Sequence, residues 1–232
     1  MKLTVLGWQG PTPGPGGACS GYLLQGENGE AIALDMGSGS LARLMRRIAP
    51  PALGAIVLSH LHWDHISDML PLSYLPGALS VPVYAPGAPA FAREALESAG
   101  WRLLPQEPFS LGSFRVRFLP GRHPVPSCCV RVEGEGKAFV YTGDTNTLPA
   151  LAQFAKGADL LLADACLTEA NWAEDKPHLS PRLCAELAAQ AGVKRLCLSH
   201  VSPTGDAQTM LSEAEPHFPG AVVAHDGLTI AF

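Results

Sequence analysis

The sequence of 232 residues predicts an α/β fold with two central β-sheets flanked by helices. Two observations predict it. In the first half, short apolar runs rich in β-branched residues follow one another at hairpin spacing, and in the second half similar runs alternate with segments of helical period. A third sets the scale: 47% hydrophobic residues and no linker-like stretch suit one domain over residues 1–232 with an ample core.

Residues 3–6 read as the first strand. Trp8 to Gly17 is too dense in glycine and proline to be anything but a loop. Residues 22–24 and 31–34 form two further strands, the latter closed by Asp35. Residues 41–48 have helical spacing with Arg43, Arg46 and Arg47 outward, and Pro50-Pro51 stops them. Residues 55–58 are a buried strand. Residues 64–72 follow as a helix with Asp64 at its N-cap and Asp68 exposed one turn on.

A strand over 81–85 and a helix over 88–99, closed by Gly100, come next. Residues 114–119 alternate charged and apolar side chains as a half-exposed strand does. Residues 130–132 and 138–141, joined by Gly134-Glu135-Gly136, read as a hairpin. The rest is strand 160–163, helix 181–191, strand 195–198, helix 207–215 and strand 221–224.

Composition narrows the function. Sixteen basic against 21 acidic residues give a net charge of −5, with no basic run longer than Arg46-Arg47, so no broad grip on nucleic acid is written in the chain. The six cysteines lack zinc-ribbon spacing and read as free thiols of a reducing compartment. Cys128 and Cys129 are adjacent, point to opposite faces of a strand and do not form a bridge. The first residues lack the apolar core of a signal peptide, and no apolar run approaches a membrane span. A soluble, cytoplasmic protein is the expectation.

The strand over 55–58 ends in Ser-His-Leu-His-Trp-Asp-His, which concentrates His60, His62, Asp64 and His65 within six residues. His60 and His62 leave an extended backbone on the same side, whereas Asp64 and His65 diverge. One pair can hold one ion and the next pair a second. Imidazole with carboxylate is a ligand set for zinc, or for manganese or iron, and a surface-loop cluster is the bland alternative.

This His-x-His-x-Asp-His pattern resembles the metallo-β-lactamase superfamily of hydrolases. Its further ligands follow in order as His123 in Gly-Arg-His-Pro, Asp144 in Thr-Gly-Asp-Thr and His200 in Leu-Ser-His-Val, each beyond a short apolar run. The resemblance implies a four-layer αββα sandwich. It assigns His60, His62 and His123 to one divalent metal ion and Asp64, His65 and His200 to another, with Asp144 bridging. It also implies that Asp35 braces the histidine loop, that the loop over residues 8–17 forms a lip of the cleft, and that homodimers are common.

Two metals held roughly 3.5–4 Å apart activate water, so hydrolysis is the implied reaction, with Asp64 serving catalysis as well as ligation. His178, in Pro-His-Leu-Ser before a helix, resembles the proton-donating histidine of the tRNase Z-like branch. Asp164, in Ala-Asp-Ala-Cys, stands where that branch has a glutamate. A carboxylate beside an imidazole suits a general acid. Only twenty residues separate His123 from Asp144, leaving no room for the branch's long tRNA-gripping arm.

The expected substrate is therefore a small phosphodiester, such as a cyclic nucleotide, a cyclic sugar phosphate or a short nucleic-acid end, rather than a large RNA. Ser202 and Thr204 are candidates for phosphate contacts or an ordinary polar loop. His217 and His225 read as surface residues. A thioester or lactone hydrolase resembling glyoxalase II is the competing enzyme, and a scaffold that has lost ligands the non-catalytic one.

Overall fold

The computed structural model describes residues 1–232. In chain order its strands are β1 (Lys2–Gly7), β2 (Gly21–Gln25), β3 (Ala31–Met36), β4 (Ala55–Val57), β5 (Val83–Tyr84), β6 (Leu103–Leu104) and β7 (Phe109–Leu111). They continue as β8 (Phe114–Pro120), β9 (Cys128–Gly134), β10 (Lys137–Tyr141), β11 (Leu160–Asp164), β12 (Leu196–Ser199), β13 (Val222–Val223) and β14 (Thr229–Ala231). One sheet has the order β14-β1-β2-β3-β4-β5-β6 and the other β13-β12-β11-β10-β9-β8-β7. The helices are α1 (Ser40–Leu44), α2 (Trp63–Ile66), α3 (Met69–Leu72), α4 (Ala90–Ser98), α5 (Leu151–Ala155), α6 (Pro181–Ala191) and α7 (Ala207–Ala214).

Strand periodicity builds three cores. Leu34, Tyr22 and Val57 of the first sheet meet Val130, Phe139 and Leu162 of the second in the middle layer. The neighbouring residues Ala33, Leu23 and Ile56 face outward onto Leu44, Ile66, Met69 and Leu96. On the other side Val140, Leu161 and Leu198 face Cys184, Ala188 and Met210 of α6 and α7. Strands covered on both faces are apolar without alternation, which is how residues 31–34 and 160–163 read in the sequence. The result is the αββα sandwich.

Both sheets change character at one strand. β1, β2 and β3 pair antiparallel, then β3, β4, β5 and β6 run parallel. Likewise β8, β9 and β10 are antiparallel, and β10 to β13 parallel. The β9–β10 turn has Glu135 and Gly136 at φ 55° and 70°, a two-residue connection of the primed kind that fits strand twist.

Several elements differ from the sequence expectation. The helix expected over 64–72 is two short ones, because the Asp68 amide donates to Met36 O (2.9 Å) instead of continuing the helical ladder. Its first residue is Trp63, so Asp64 lies in the first turn and His62 holds the N-cap position without a side-chain cap. Asp68 is half-buried rather than exposed, and its carboxylate accepts the Leu41 amide (2.7 Å) at the start of α1. The helix over 41–48 is regular only over Ser40–Leu44; beyond it the Arg46 and Arg47 amides bond three residues back, to Arg43 O and Leu44 O, and the segment tightens into turns. α6 is capped by Ser180, whose Oγ accepts the Leu183 amide, and by Gly192 with φ 64°. No helix is long and apolar enough to cross a membrane.

Candidate metal centre

The histidine loop hangs from one buried carboxylate. Asp35 ends its run at φ 55° and is fully buried. Its Oδ1 accepts the Ser59 amide (2.6 Å), and its Oδ2 accepts Ser59 Oγ–H (2.7 Å), His65 Nδ1–H (2.8 Å) and Tyr141 O–H (2.7 Å). Ser59 Oγ in turn lies 3.1 Å from His60 Nδ1. The second sheet thus reaches across to fix a loop of the first.

The same device sets other imidazoles. His123 Nδ1 faces Pro177 O at 3.2 Å, and His200 Nδ1 faces Ser20 Oγ at 3.1 Å. With Nδ1 engaged in His60, His65, His123 and His200, Nε2 is left as the free lone pair of each. His62, on the extended backbone before α2, presents Nδ1 instead. It lies 3.1 Å from His60 Nε2 and 3.1 Å from His123 Nε2.

A second group forms beside the first. Asp64, His65, Asp144 and His200 converge, as do His60, His62 and His123. Asp144 Oδ2 stands 3.3 Å from His65 Nε2, 3.2 Å from His200 Nε2 and 3.6 Å from His60 Nε2, so it belongs to both. Asp64 Oδ2 is 3.5 Å from His65 Nε2 and 3.8 Å from His200 Nε2. All seven residues singled out as ligands are brought together.

The protein's own groups do not complete this cluster. His65 Nε2 and Asp144 Oδ1 are buried with no hydrogen-bond partner. An orphaned lone pair beside an orphaned carboxylate oxygen is costly unless a cation fills the gap. The 3.1 Å nitrogen spacings in the first group are close to the roughly 3.3 Å between ligands of a tetrahedral zinc ion. The residues present fit divalent ions.

Charge agrees with geometry. Burial pushes His60, His62 and His123 below the usual imidazole value, so they offer neutral nitrogens. Burial would also lower His65, but the Asp144 and Asp35 carboxylates outweigh it and hold it well above that value. Burial opposes ionisation of Asp144, yet the imidazoles of His200, His65 and His60 keep it well below the carboxylate range. The cluster calls for positive charge at its centre.

Glycines allow the close approaches. A Cβ on Gly10 would sit 2.0 Å from His200 Cε1, and one on Gly143, at φ 56°, 2.7 Å from Cys128 O. The loop from Trp8 to Gly17 therefore lies directly against His200, with Gly10 N and Trp8 O both bonded to Val201.

His178 stands at the edge of both groups, close to His123 and Asp144 on one side and to Cys166 and His200 on the other. Its Nδ1 donates to Asp164 Oδ2 at 2.8 Å. Asp164, last residue of β11 and buried, also accepts the Thr145 amide (3.2 Å) and, through Oδ1, the Cys166 amide (3.1 Å). Burial alone would lower His178, but Asp164 outweighs it and raises it to about 9. Bound divalent cations would push it back down.

Ser202 and Thr204 hydrogen-bond to each other (3.0 Å) in a polar loop. His217 is exposed, 3.6 Å from Glu186, and His225 is exposed. All six cysteines are free thiols. Cys166 and Asn146, which the sequence reading did not select, lie against the site. Their nearness in sequence to Asp164 and Asp144 was the available signal.

The family profile of the beta-lactamase superfamily domain matches residues 32–201. The chain is 30% identical to the probable metallo-hydrolase YhfI of Bacillus subtilis over 96% of each protein. The crystal structure of YhfI superposes with a TM-score of 0.91 over 99% of both chains at 28% identity. A ribonuclease Z of Methanopyrus kandleri is 29% identical over 99% of this chain and 97% of its own. Human tRNase Z, short form, shares the fold with a TM-score of 0.79 at 23% identity, over 100% of this chain and 99% of that one.

Proposed function

The chain belongs to the metallo-β-lactamase superfamily and to its tRNase Z-like branch, and within that branch of metal-dependent hydrolases we propose a phosphodiesterase that acts on a small phosphodiester. The observation that carries this reading is the 2.8 Å His178–Asp164 pair at the edge of the ligand cluster. His60, His62 and His123 would hold one ion and Asp64, His65 and His200 the other, with Asp144 shared. The imidazole and carboxylate donors suit zinc first and manganese or iron(II) next. When bound, such ions supply Lewis acidity and a nucleophile at neutral pH.

The chain's own residues supply the rest. Asp164 accepts Nδ1–H and so fixes the His178 ring, leaving Nε2 to carry a proton to the oxygen that departs. Expelling an alkoxide needs that proton, whereas a thiolate leaves without it. A thioesterase has no use for the pair. Residues 124–127 lead straight into β9, and a two-residue turn joins β9 to β10, so the segment before Asp144 offers no arm for a large RNA. With a net charge of −5, a small substrate fits better. We read residues 1–232 as one such domain.

The test is hydrolysis of bis(p-nitrophenyl) phosphate by zinc- or manganese-loaded protein, with bound metal counted on the same sample and a thioester run in parallel. Turnover of the diester and not the thioester is expected. A fully metallated protein that cleaves only the thioester would place it beside glyoxalase II.

A further inference from the structure

We propose that Asn146 is the positioning residue for both His178 and His123, acting through the backbone of the segment between β11 and α6; the proposal rests on the reading of His178 as proton donor. Residues 165–180 contain no helix or strand, yet they must hold an imidazole in place at the edge of the cluster. Their backbone carbonyls therefore need partners from elsewhere. Asn146, fully buried, reaches three of them.

Its Nδ2 lies 2.6 Å from Lys176 O, 3.1 Å from Ala173 O and 3.3 Å from Glu174 O. An amide has two N–H groups, so one serves Lys176 and the other is shared by the remaining pair. Its Oδ1 accepts Trp172 Nε1–H (3.1 Å) and the Thr147 amide (2.6 Å). One side chain gathers four residues of the segment. Lys176 is followed by Pro177, whose carbonyl faces His123 Nδ1, and then by His178 itself. A shift at Lys176 would move both imidazoles.

The tripeptide Asp144-Thr145-Asn146 then has a division of labour. Asp144 joins the ligand cluster, the Thr145 amide donates to Asp164, and Asn146 holds the segment that carries His178. Arg122, beside His123, adds a surface contact from Nη2 to Glu174 O (2.7 Å) and donates its own amide to Thr145 Oγ1 (2.9 Å).

Asn146→Asp keeps the shape, loses both N–H donors and turns a negative charge on three carbonyl oxygens. A misplacement of about 1 Å costs on the order of 100-fold in rate. The expected result at saturating metal is a filled centre, its metal affinity roughly 10-fold weaker because His123 shifts, with an alkyl phosphodiester slowed on the order of 100-fold and bis(p-nitrophenyl) phosphate slowed less than about 10-fold. Arg122→Ala, a surface change that leaves the core intact, should shift the ratio of the two rates in the same direction by a smaller factor. It keeps the test alive should Asn146→Asp not fold.

His178→Ala is measured alongside. If His178→Ala changes the ratio and neither Asn146→Asp nor Arg122→Ala does, the positioning role is overturned. If His178→Ala itself leaves the ratio unchanged, the proton-donor reading falls and this inference with it. Equal slowing of both substrates by folded Asn146→Asp would also overturn it, because a general structural role moves both alike.

Discussion

Asp144→Ala is expected to lose metal and activity together. Asp144 Oδ2 is within 3.6 Å of nitrogens from both imidazole groups, so removing it takes a donor from each proposed ion at once. It also leaves His65 Nε2 and its neighbours without the carboxylate that neutralises them. Loss of a residue that merely orients a ligand costs roughly 10–100-fold in metal affinity. Removing a shared ligand should cost more than that. Elemental analysis of the variant beside the wild type, with circular dichroism to verify folding, measures it; a folded variant that retains two ions and turnover would remove Asp144 from the centre.

His178→Ala is expected to separate substrates by their leaving groups. General acid catalysis contributes roughly 10²–10⁴-fold, and it is needed when an alkoxide departs and nearly dispensable for nitrophenolate. An alkyl phosphodiester should therefore slow by about 10²–10⁴-fold, while bis(p-nitrophenyl) phosphate slows less than about 10-fold. Metal content should not change, since His60, His62, Asp64, His65, His123, Asp144 and His200 all remain. Asp164→Asn should produce a weaker form of the same pattern, because the carboxylate that holds the His178 proton is gone. Equal slowing on both esters would leave His178 a helix-proximal residue with no part in proton transfer.

The readability of the sequence followed the strength of local signals. β3 and β11 announced themselves as apolar runs because they are buried on both faces, and α6 because Ser180, Pro181 and Gly192 mark its ends. β6, β7 and β14 are two or three residues long and carry no period, and α5 spans only five. The break between α2 and α3 was invisible because its cause is a tertiary bond from Asp68 to Met36. Asp64 is not the cap, because the helix begins at Trp63, one residue earlier than the local pattern suggests.

The site divides along similar lines. His60, His62, Asp64 and His65 could be read from spacing, whereas His123, Asp144, His200, His178 and Asp164 were found only through likeness to a family. Asp35, 24 positions from Ser59, is legible as the brace beneath the loop only through the same likeness. Asn146 offered only its nearness to Asp144, since a buried amide that collects carbonyls has no pattern in one dimension.

The most direct test of the account is anomalous scattering at the zinc edge from a crystal of the zinc-loaded protein. Two peaks are predicted, one enclosed by His60, His62 and His123 and one by Asp64, His65 and His200, with Asp144 between them. A single peak, or one displaced to Cys166 and His178, would contradict it.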